Sequence, residues 1–177
     1  MTKIGLFFDT DTGNTRKVAK MICKHFDESD IEMKNITKVE PADFEQYSAF
    51  ILGTPTLGEG ELPENWDTFL PSLDTMDFSG KTIALFGLGD QEEYGHEFVN
   101  GLGILYEKFK SLGASFIGFW PTDGYEFEIS HAELDDKFVG LVLDQENQSD
   151  LTEERIENWI AQVKSALLEA AGNAKSA

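Results

Sequence analysis

The sequence has little basic charge, a single cysteine and no long apolar run. Of its 177 residues, 14 are Lys or Arg and 33 are Asp or Glu, so the formal net charge is −19. Nucleic acid is therefore not an expected partner, because phosphate neutralisation requires clustered basic residues, and an anionic membrane surface is disfavoured. The one cysteine, Cys23, excludes an intramolecular disulfide. With no membrane-length apolar run and no signal peptide, we expect a cytoplasmic protein without membrane insertion.

Candidate metal ligands are equally sparse. The three histidines, His25, His96 and His131, are scattered along the chain, and none stands at a ligand spacing with Cys23. We therefore expect no metal site.

Two stretches contain no Lys or Arg at all. Residues 39–80 hold nine acids, and residues 82–107 hold five. Such stretches either form a solvated acidic surface that maintains solubility or provide a docking face for a basic partner.

Apolar runs alternate with helical patterns along the chain. Strands are indicated at 4–8, 31–36, 49–53, 81–87, 116–119 and 138–143, with an irregular stretch at 120–137. Helical periodicity marks 15–26, 66–73, 98–112 and 152–171. This alternation predicts a parallel sheet with helices on both faces. The length fits one domain, 1–171, followed by a frayed tail, 172–177.

The segment 10–15, Thr-Asp-Thr-Gly-Asn-Thr, joins the first strand to the first helix. A hydroxyl-rich loop before a helix presents N–H and O–H donors, with the positive end of the helix dipole behind them, and so favours phosphate. A triphosphate-binding loop would continue with Gly-Lys-Ser/Thr, whereas Asn14 follows Gly13 here. The pattern is typical of a single phosphate held by neutral donors. Alternatively, its Thr and Asp residues are only a helix N-cap.

Two further loops follow the carboxyl ends of buried strands. We name 10–15 the first loop, 54–61 the second loop and 88–96 the third loop. In open α/β sheets, ligands bind beyond the carboxyl ends of the strands, where the strand order reverses. The three loops are therefore expected to converge on one ligand.

These segments together closely resemble the flavodoxin family, in its long-chain type. The resemblance extends from residue 3 to about 166 and rests on the segments 10–15, 53–63, 79–81, 86–91 and 120–148. It implies a flavodoxin-like, doubly wound α/β fold: a five-stranded parallel sheet of order 2-1-3-4-5, helices on both faces, and a last strand interrupted by an insertion at 120–138. The sequence of residues 56–63 is similar to the corresponding segment of flavodoxins that serve nitrogen fixation.

The resemblance implies tight, non-covalent binding of FMN. The phosphate would lie in the first loop and the isoalloxazine ring between the second and third loops. The residues that this assigns to the cofactor site are Thr10, Asp11, Thr12, Gly13, Asn14, Thr15, Thr54, Pro55, Thr56, Leu57, Gly58, Gly60, Gly87, Leu88, Gly89, Asp90, Tyr94, Glu97 and Asp144.

Several of these positions carry specific expectations. Tyr94 matches the residue that covers the outer ring face, while Leu57 stands on the inner side, where many relatives have Trp. Asp90 matches a hydrogen-bond partner near the pyrimidine edge of the ring or the ribityl chain. Asp144 and Glu146 match positions near the ribityl chain.

The chain also departs from the family at three charged positions. Asp9 stands where relatives usually have Gly, and we expect its carboxylate to turn away from the first loop. Glu93 and Glu97 replace what are often Gly and Asn, which adds two charges near the ring rim.

The function implied is a low-potential one-electron carrier that works between the semiquinone and hydroquinone forms of FMN. No catalytic residue is needed, so we expect an electron-transfer protein rather than an enzyme. The peptide Gly58-Glu59 would rotate to meet the flavin N5, because Gly58 can adopt a positive φ; alternatively, Gly58 only forms a tight turn. The acidic rim formed by Glu59, Glu61, Asp90, Glu92, Glu93 and Glu97 would oppose an anionic hydroquinone.

The family's candidate partners are basic redox proteins: ferredoxin–NADP reductase, photosystem I and nitrogenase reductase. We expect a monomer. An FMN-dependent NAD(P)H:quinone reductase is an alternative, although the chain offers no extra segment for a second cofactor. A receiver domain shares the architecture, but the third strand ends in Gly53-Thr54-Pro55 without the required Asp.

Overall fold

The computed structural model describes residues 3–9, 13–56 and 61–173. Its main sheet is built from β1 (Ile4–Phe8), β2 (Ile31–Asn35), β3 (Ala49–Pro55), β4 (Thr82–Leu88) and β5 (Ser115–Ile117) in the order β2-β1-β3-β4-β5. All pairs of this sheet are parallel. The predicted strand order 2-1-3-4-5 is confirmed.

The last position of the sheet is divided between two strands. β5 pairs with Thr82, Ile83 and Ala84, and a later strand, β9 (Leu141–Leu143), pairs with the next part of β4. Residues 118–140 leave the sheet between them. The predicted interruption of the last strand by an insertion is thus confirmed.

The insertion contains a small antiparallel sheet that the sequence did not reveal. Its strands are β6 (Trp120–Pro121), β7 (Glu133–Leu134) and β8 (Lys137–Phe138), in the order β6-β8-β7. The prediction of an irregular stretch at 120–137 is therefore wrong, because strands of two residues are too short to show alternation. Asp135 and Asp136 form the turn with φ of 52° and 65°, the positive values of a two-residue hairpin turn.

In the described part of the chain, four α-helices cover the two faces of the sheet. They are α1 (Asn14–Cys23), α2 (Glu64–Phe69), α3 (Asn100–Ser111) and α4 (Thr152–Asn173). One face has an aromatic core, which includes Phe7, Phe44, Phe50, Trp66 and Phe109. The opposite face is mostly aliphatic and packs Val18, Ile22, Ile160 and Leu167 against the sheet. The prediction of helices on both faces is confirmed.

The helix boundaries differ from the predictions by a few residues. α3 begins at Asn100 because Val99 adopts a left-handed conformation, with φ of 46°. α4 continues to Asn173, two residues into the predicted tail, and residues 174–177 lie outside the described part of the chain. Burial raises the pKa of the Cys23 thiol to about 11, as expected for a packing residue on α1. Among the described residues, no helix has the length and apolar character that crossing a membrane requires.

The topology brings the three loops to one edge of the sheet. The chain leaves β1 to form β2 on one side and returns to form β3 on the other, so the strand order reverses between β1 and β3. Hydrogen bonds continue past the strand ends: the N–H of Asp9 donates to Gly53 O at 3.2 Å, and the N–H of Thr56 donates to Leu88 O at 3.2 Å. The strand ends that lead into the three loops are therefore neighbours.

Candidate functional site

The first loop ends at the N-terminus of α1. Gly13 is the N-cap residue, with φ of 92°, and offers no side-chain cap. The first turn of α1 contains no acid, Thr15 is buried, and Asn14 is half-buried. First-turn N–H groups have no acceptor within the helix and carry the positive end of its dipole. This start of a helix fits a phosphate group. Thr10, Asp11 and Thr12 lie outside the described residues.

The carboxylate of Asp9 is directed toward α2. It is 1% exposed, and it accepts hydrogen bonds from Asn65 Nδ2 and from the backbone N–H of Trp66, both at 3.2 Å. Trp66 in turn donates from Nε1 to Gly53 O at 3.0 Å. Both carboxylate oxygens are therefore held at the start of α2, and the expectation that Asp9 turns away from the first loop stays a prediction, because residues 10–12 lie outside the described part of the chain.

The start of the second loop is fixed against α3. Thr54 is fully buried and donates from Oγ1 to Pro55 O at 2.8 Å. Thr56 Oγ1 accepts a hydrogen bond from the N–H of Gly101 at 3.0 Å. A Cβ atom at Gly101 would lie 2.9 Å from Pro55 O, so glycine permits this close approach. Leu57, Gly58, Glu59 and Gly60, which include the peptide expected to tune the flavin, lie outside the described residues.

The third loop is a compact turn closed by Asp90. Asp90 Oδ1 accepts hydrogen bonds from the N–H groups of Glu92 and Glu93, at 3.2 and 3.0 Å. The N–H of Tyr94 donates to Asp90 O at 2.9 Å. Tyr94 is 45% exposed, so its ring is available to cover a ligand. At Gly89, a Cβ atom would lie 2.8 Å from Val99 Cγ1, which explains the glycine at the start of this loop.

Two predicted cofactor residues belong to β4 and pack in the interior. A Cβ atom at Gly87 would lie 3.1 Å from Leu102 Cβ, and Leu88 is buried in the aliphatic core. In this structure both residues position the third loop, and their contact with a cofactor stays a prediction. Glu97 is half-buried just after the loop, and its N–H donates to Tyr94 O at 3.1 Å.

Asp144 follows β9 and is fully buried. Its Oδ1 accepts from the N–H groups of Glu146 and Asn147, at 3.1 and 3.0 Å. Its Oδ2 accepts from Gln91 N, Gln91 Nε2 and Asn147 Nδ2, at 3.1, 2.8 and 2.9 Å. Protein donors therefore occupy both oxygens. A direct contact between Asp144 and a ribityl chain stays a prediction, and the geometry shows a residue that holds loops together.

Sequence reasoning missed two residues beside Asp144. Gln91 is 6% exposed, and its Oε1 accepts from the N–H of Glu126, in the insertion, at 2.6 Å. Asn147 Nδ2 also donates to Asp90 Oδ1 at 2.7 Å. Both residues stood in the segments that carry the family resemblance. Their partners are 35 and 57 positions away, and no spacing rule connects such positions.

The insertion runs along the third loop and the start of α3. The N–H groups of Glu128 and Ile129 donate to Gly95 O, at 2.8 and 3.2 Å. Ser130 Oγ donates to Phe98 O, and the N–H of His131 donates to Asn100 Oδ1 at 2.8 Å. The backbone of the insertion thus supports the segment that carries Tyr94.

The rim of the site is acidic. Glu61, Glu92 and Glu93 are exposed, and in the third loop the exposed His96 Nδ1 lies 3.4 Å from Glu128 Oε2. The described residues contain no cluster of His, Cys, Asp and Glu able to hold a metal ion.

A groove of about 710 Å³ lies between the third loop and the insertion. It is lined by Gln91, Glu92, Gly124, Tyr125, Glu126, Asn147 and Gln148. Of the third loop, Gln91 and Glu92 line this groove.

Comparisons with known proteins agree on one family. A family model described as Flavodoxin matches residues 6–159. The chain is 47% identical over 168 residues to a flavodoxin of Synechocystis sp., covering 94% of this chain and 99% of the relative. It is 48% identical over 176 residues to a flavodoxin of Klebsiella pneumoniae, covering 95% and 100%. Among solved structures, Fusobacterium nucleatum flavodoxin bound to flavin mononucleotide superposes with a TM-score of 0.88 at 36% identity, covering 93% of this chain and 98% of that chain.

Proposed function

Because the chain belongs to the flavodoxin family, we propose that it carries single electrons on one non-covalently bound FMN. Proteins of this family are electron-transfer flavoproteins rather than enzymes. The observation that carries the proposal is the start of α1 at Gly13, which has no acid in its first turn and lies at the sheet edge where the strand order reverses.

The first loop is proposed to hold the FMN phosphate through neutral donors. Gly13, Asn14 and Thr15 supply the helix start, and Thr10 and Thr12 add hydroxyl groups. Neutral N–H and O–H donors bind a phosphate without a counter-ion, which suits a chain of net charge −19.

The second and third loops are proposed to enclose the flavin ring. Tyr94 covers the outer face, and Leu57 lies on the inner face, where it gives up aromatic stacking worth about 0.5–1.5 kcal/mol. FMN supplies the redox chemistry when bound. The protein orients the ring, excludes water and places the Gly58-Glu59 peptide as a hydrogen-bond partner for N5.

The acidic rim is proposed to lower the potential at which the second electron is taken up. One charge about 10 Å from the ring costs about 0.8 kcal/mol at an effective dielectric constant of roughly 40. Several such charges lower a one-electron potential by an amount on the order of 100 mV, since about 59 mV corresponds to a tenfold change. The working couple is then semiquinone and hydroquinone.

The same acidic surface is proposed to dock basic redox partners. Ferredoxin–NADP reductase, photosystem I and nitrogenase reductase remain the candidates, and each would associate more slowly at high salt because the steering is electrostatic. A role in nitrogen fixation and a cytoplasmic location belong to this proposal.

Flavin titration of the apoprotein tests the site directly. We expect one FMN per chain and, for Asn14→Asp, a loss of FMN affinity of about tenfold or more, because a carboxylate would stand where the phosphate binds. Riboflavin lacks the phosphate, so its affinity should not change. The exposed Lys17→Gln is the matched control on the same helix. Equal losses for FMN and riboflavin in Asn14→Asp would contradict the phosphate assignment.

A turnover assay separates the carrier from a quinone reductase. The FMN-loaded protein should not oxidise NADPH in the presence of a quinone until a reductase is added. Rapid turnover of the protein alone would favour the enzyme.

A further inference from the structure

Asp144 is the buried centre of a polar network that includes the buried Gln91 and the exposed Asn147. It accepts five hydrogen bonds from three residues in the described part of the chain, and all five donors are neutral amide N–H groups. A buried carboxylate without such donors would be strongly destabilised by the loss of hydration. Its donors must therefore stay in place, and two of the residues that supply them reach further structures.

Gln91 connects this centre to the insertion. Its backbone N–H and its Nε2 both donate to Asp144 Oδ2, which fixes the side chain, and its Oε1 then faces the insertion and accepts from the N–H of Glu126 at 2.6 Å. The two ends of one amide thus join the last strand of the sheet to residue 126. A shift of the insertion would therefore be transmitted to Gln91, the residue that follows Asp90 in the third loop.

Asn147 connects the same centre to the third loop. Its Nδ2 carries two N–H groups, and these bridge two carboxylates: Asp144 Oδ2 at 2.9 Å and Asp90 Oδ1 at 2.7 Å. Asp90 Oδ1 also receives the N–H groups of Glu92 and Glu93. The orientation of the Asp90 carboxylate, and with it the turn that leads to Tyr94, therefore depends on Asn147.

Tyr94 lies between two anchored points. On one side is Asp90, held by Asn147; on the other is Gly95, whose carbonyl accepts two N–H groups from the insertion. At 45% exposure, the Tyr94 side chain is only partly covered by the protein, so its position depends on these backbone anchors.

We propose that Gln91 and Asn147 are positioning residues that couple the insertion to the flavin-covering turn through Asp144. The insertion is a brace that holds the Asp90–Tyr94 turn in the conformation that receives the ring. This rests on the proposed function for the identity of the ligand, whereas the bracing of the turn is a property of the protein itself.

The test compares Asn147→Ala and Gln91→Ala with Ser149→Ala. Ser149 follows in the same segment with an exposed side chain, and it takes no part in the five hydrogen bonds to Asp144. Both network variants should lose affinity for FMN and for riboflavin by the same factor, about fivefold to thirtyfold, because a charge-assisted hydrogen bond to the ring-covering turn is lost. The visible circular dichroism of the bound flavin should change in both. Ser149→Ala should match the wild type.

Hydrogen exchange of the apoprotein tests the brace without any flavin. In Asn147→Ala, the amides of Glu92 and Glu93 should exchange at least tenfold faster, while amides of the central strand β3 remain at wild-type rates. In Gln91→Ala, the amide of Glu126 should also exchange faster. The double variant should lose less flavin affinity than the product of the two single losses, because both residues act through Asp144.

The results that would overturn the inference differ from those that would overturn the function. Loss of affinity for FMN with riboflavin unchanged would place the effect at the phosphate and reject the brace. Wild-type exchange rates and flavin affinities in both network variants would reject it as well. If the wild-type protein bound no FMN, the proposed function would fail, and the exchange results would still decide the brace.

Discussion

Two buried aspartates occupy the same kind of position and are held in different ways. Asp9 is the first residue after β1, and Asp144 is the first residue after β9; both are at most 1% exposed. Asp9 accepts two hydrogen bonds of 3.2 Å from the start of α2. Asp144 accepts bonds of 2.8–3.1 Å from the third loop and from the segment that follows β9.

The difference shows how one residue type serves two sides of the site. A carboxylate directed at the first loop would repel a bound phosphate, and both oxygens of Asp9 accept hydrogen bonds from the start of α2. Beneath the third loop, the Asp144 carboxylate accepts hydrogen bonds from N–H groups of the surrounding turns, and buried N–H groups require such an acceptor. We therefore expect Asp144 to matter mainly for structure and Asp9 mainly for the charge near the phosphate.

Asp144→Ala should have the largest effect on stability. Removing a buried carboxylate leaves its N–H donors without acceptors, so the free energy of unfolding of the apoprotein should fall by about 3–5 kcal/mol. Urea unfolding followed by far-UV circular dichroism measures this. Asp144→Asn, which keeps one acceptor oxygen, should recover part of the loss. A change below 1 kcal/mol in Asp144→Ala would contradict the assignment of Asp144 as the centre of the network.

Gly103→Ala should disturb the same side of the molecule without touching the network. A Cβ atom at this position of α3 would lie 2.5 Å from His131 O in the insertion, and such overpacking costs about 1–3 kcal/mol. The sign of the change in stability is informative, since an alanine that replaces a glycine within a helix otherwise stabilises the protein by about 1 kcal/mol. Thermal unfolding of Gly103→Ala should show a lower midpoint, and the exposed Ile104→Ala should stay close to the wild type. An increase in the midpoint of Gly103→Ala would show that the insertion does not pack on α3.

Tyr125 makes the insertion side sensitive to high pH. Burial raises the pKa of its phenol to about 12, although the nearby Arg155 opposes this. The folded state therefore retains a proton that the unfolded chain loses near pH 10. The contribution of the protonated Tyr125 to the free energy of unfolding is complete below pH 10 and is lost as the pH rises to 12. The free energy of unfolding should fall by at most about 1.4 kcal/mol per pH unit over this range. The difference in unfolding free energy between wild type and Tyr125→Phe should shrink over this range; a difference independent of pH would contradict it.

Asp9→Asn should have the smallest effect on stability. It should lower the stability slightly and raise the affinity for FMN. Asn can still accept the N–H of Trp66, so the loss should be about 0.5–1.5 kcal/mol. FMN affinity should rise a few-fold at low salt, because one negative charge near the phosphate is removed, and the gain should shrink at high salt. Calorimetric titration at two salt concentrations measures both. If Asp9→Asn destabilised the protein as much as Asp144→Asn, the contrast between the two aspartates would fail.

The strands were predictable because the signals for them are local, whereas their order came from the family resemblance. Buried parallel strands appear as continuous apolar runs, as in 49–53 and 83–86, and alternation with helices then limits the topology. The small sheet of the insertion was not predictable, because its strands have two residues each and its turn, Asp135-Asp136, lacks the Asn-Gly or Asp-Gly signature.

The sequence predicts which loops form the site, and it does not predict their contacts. The first loop and Tyr94 follow from residue types at strand ends and from the family resemblance. The partners of Asp9 on α2 and the partner of Asp144 in the third loop stand 53 to 57 positions away, where no periodicity links them. The sequence identified Asp144 as polar and close to the ligand edge, but its burial and its five donors appear only in three dimensions.

A potentiometric titration of the FMN-loaded protein at two salt concentrations tests the proposed function most directly. We predict two separate one-electron steps, with the second lying below the free-flavin potential by an amount on the order of 100 mV at low salt and by less at high salt. Uptake of both electrons in a single step at the free-flavin potential, unchanged by salt, would contradict a low-potential one-electron carrier.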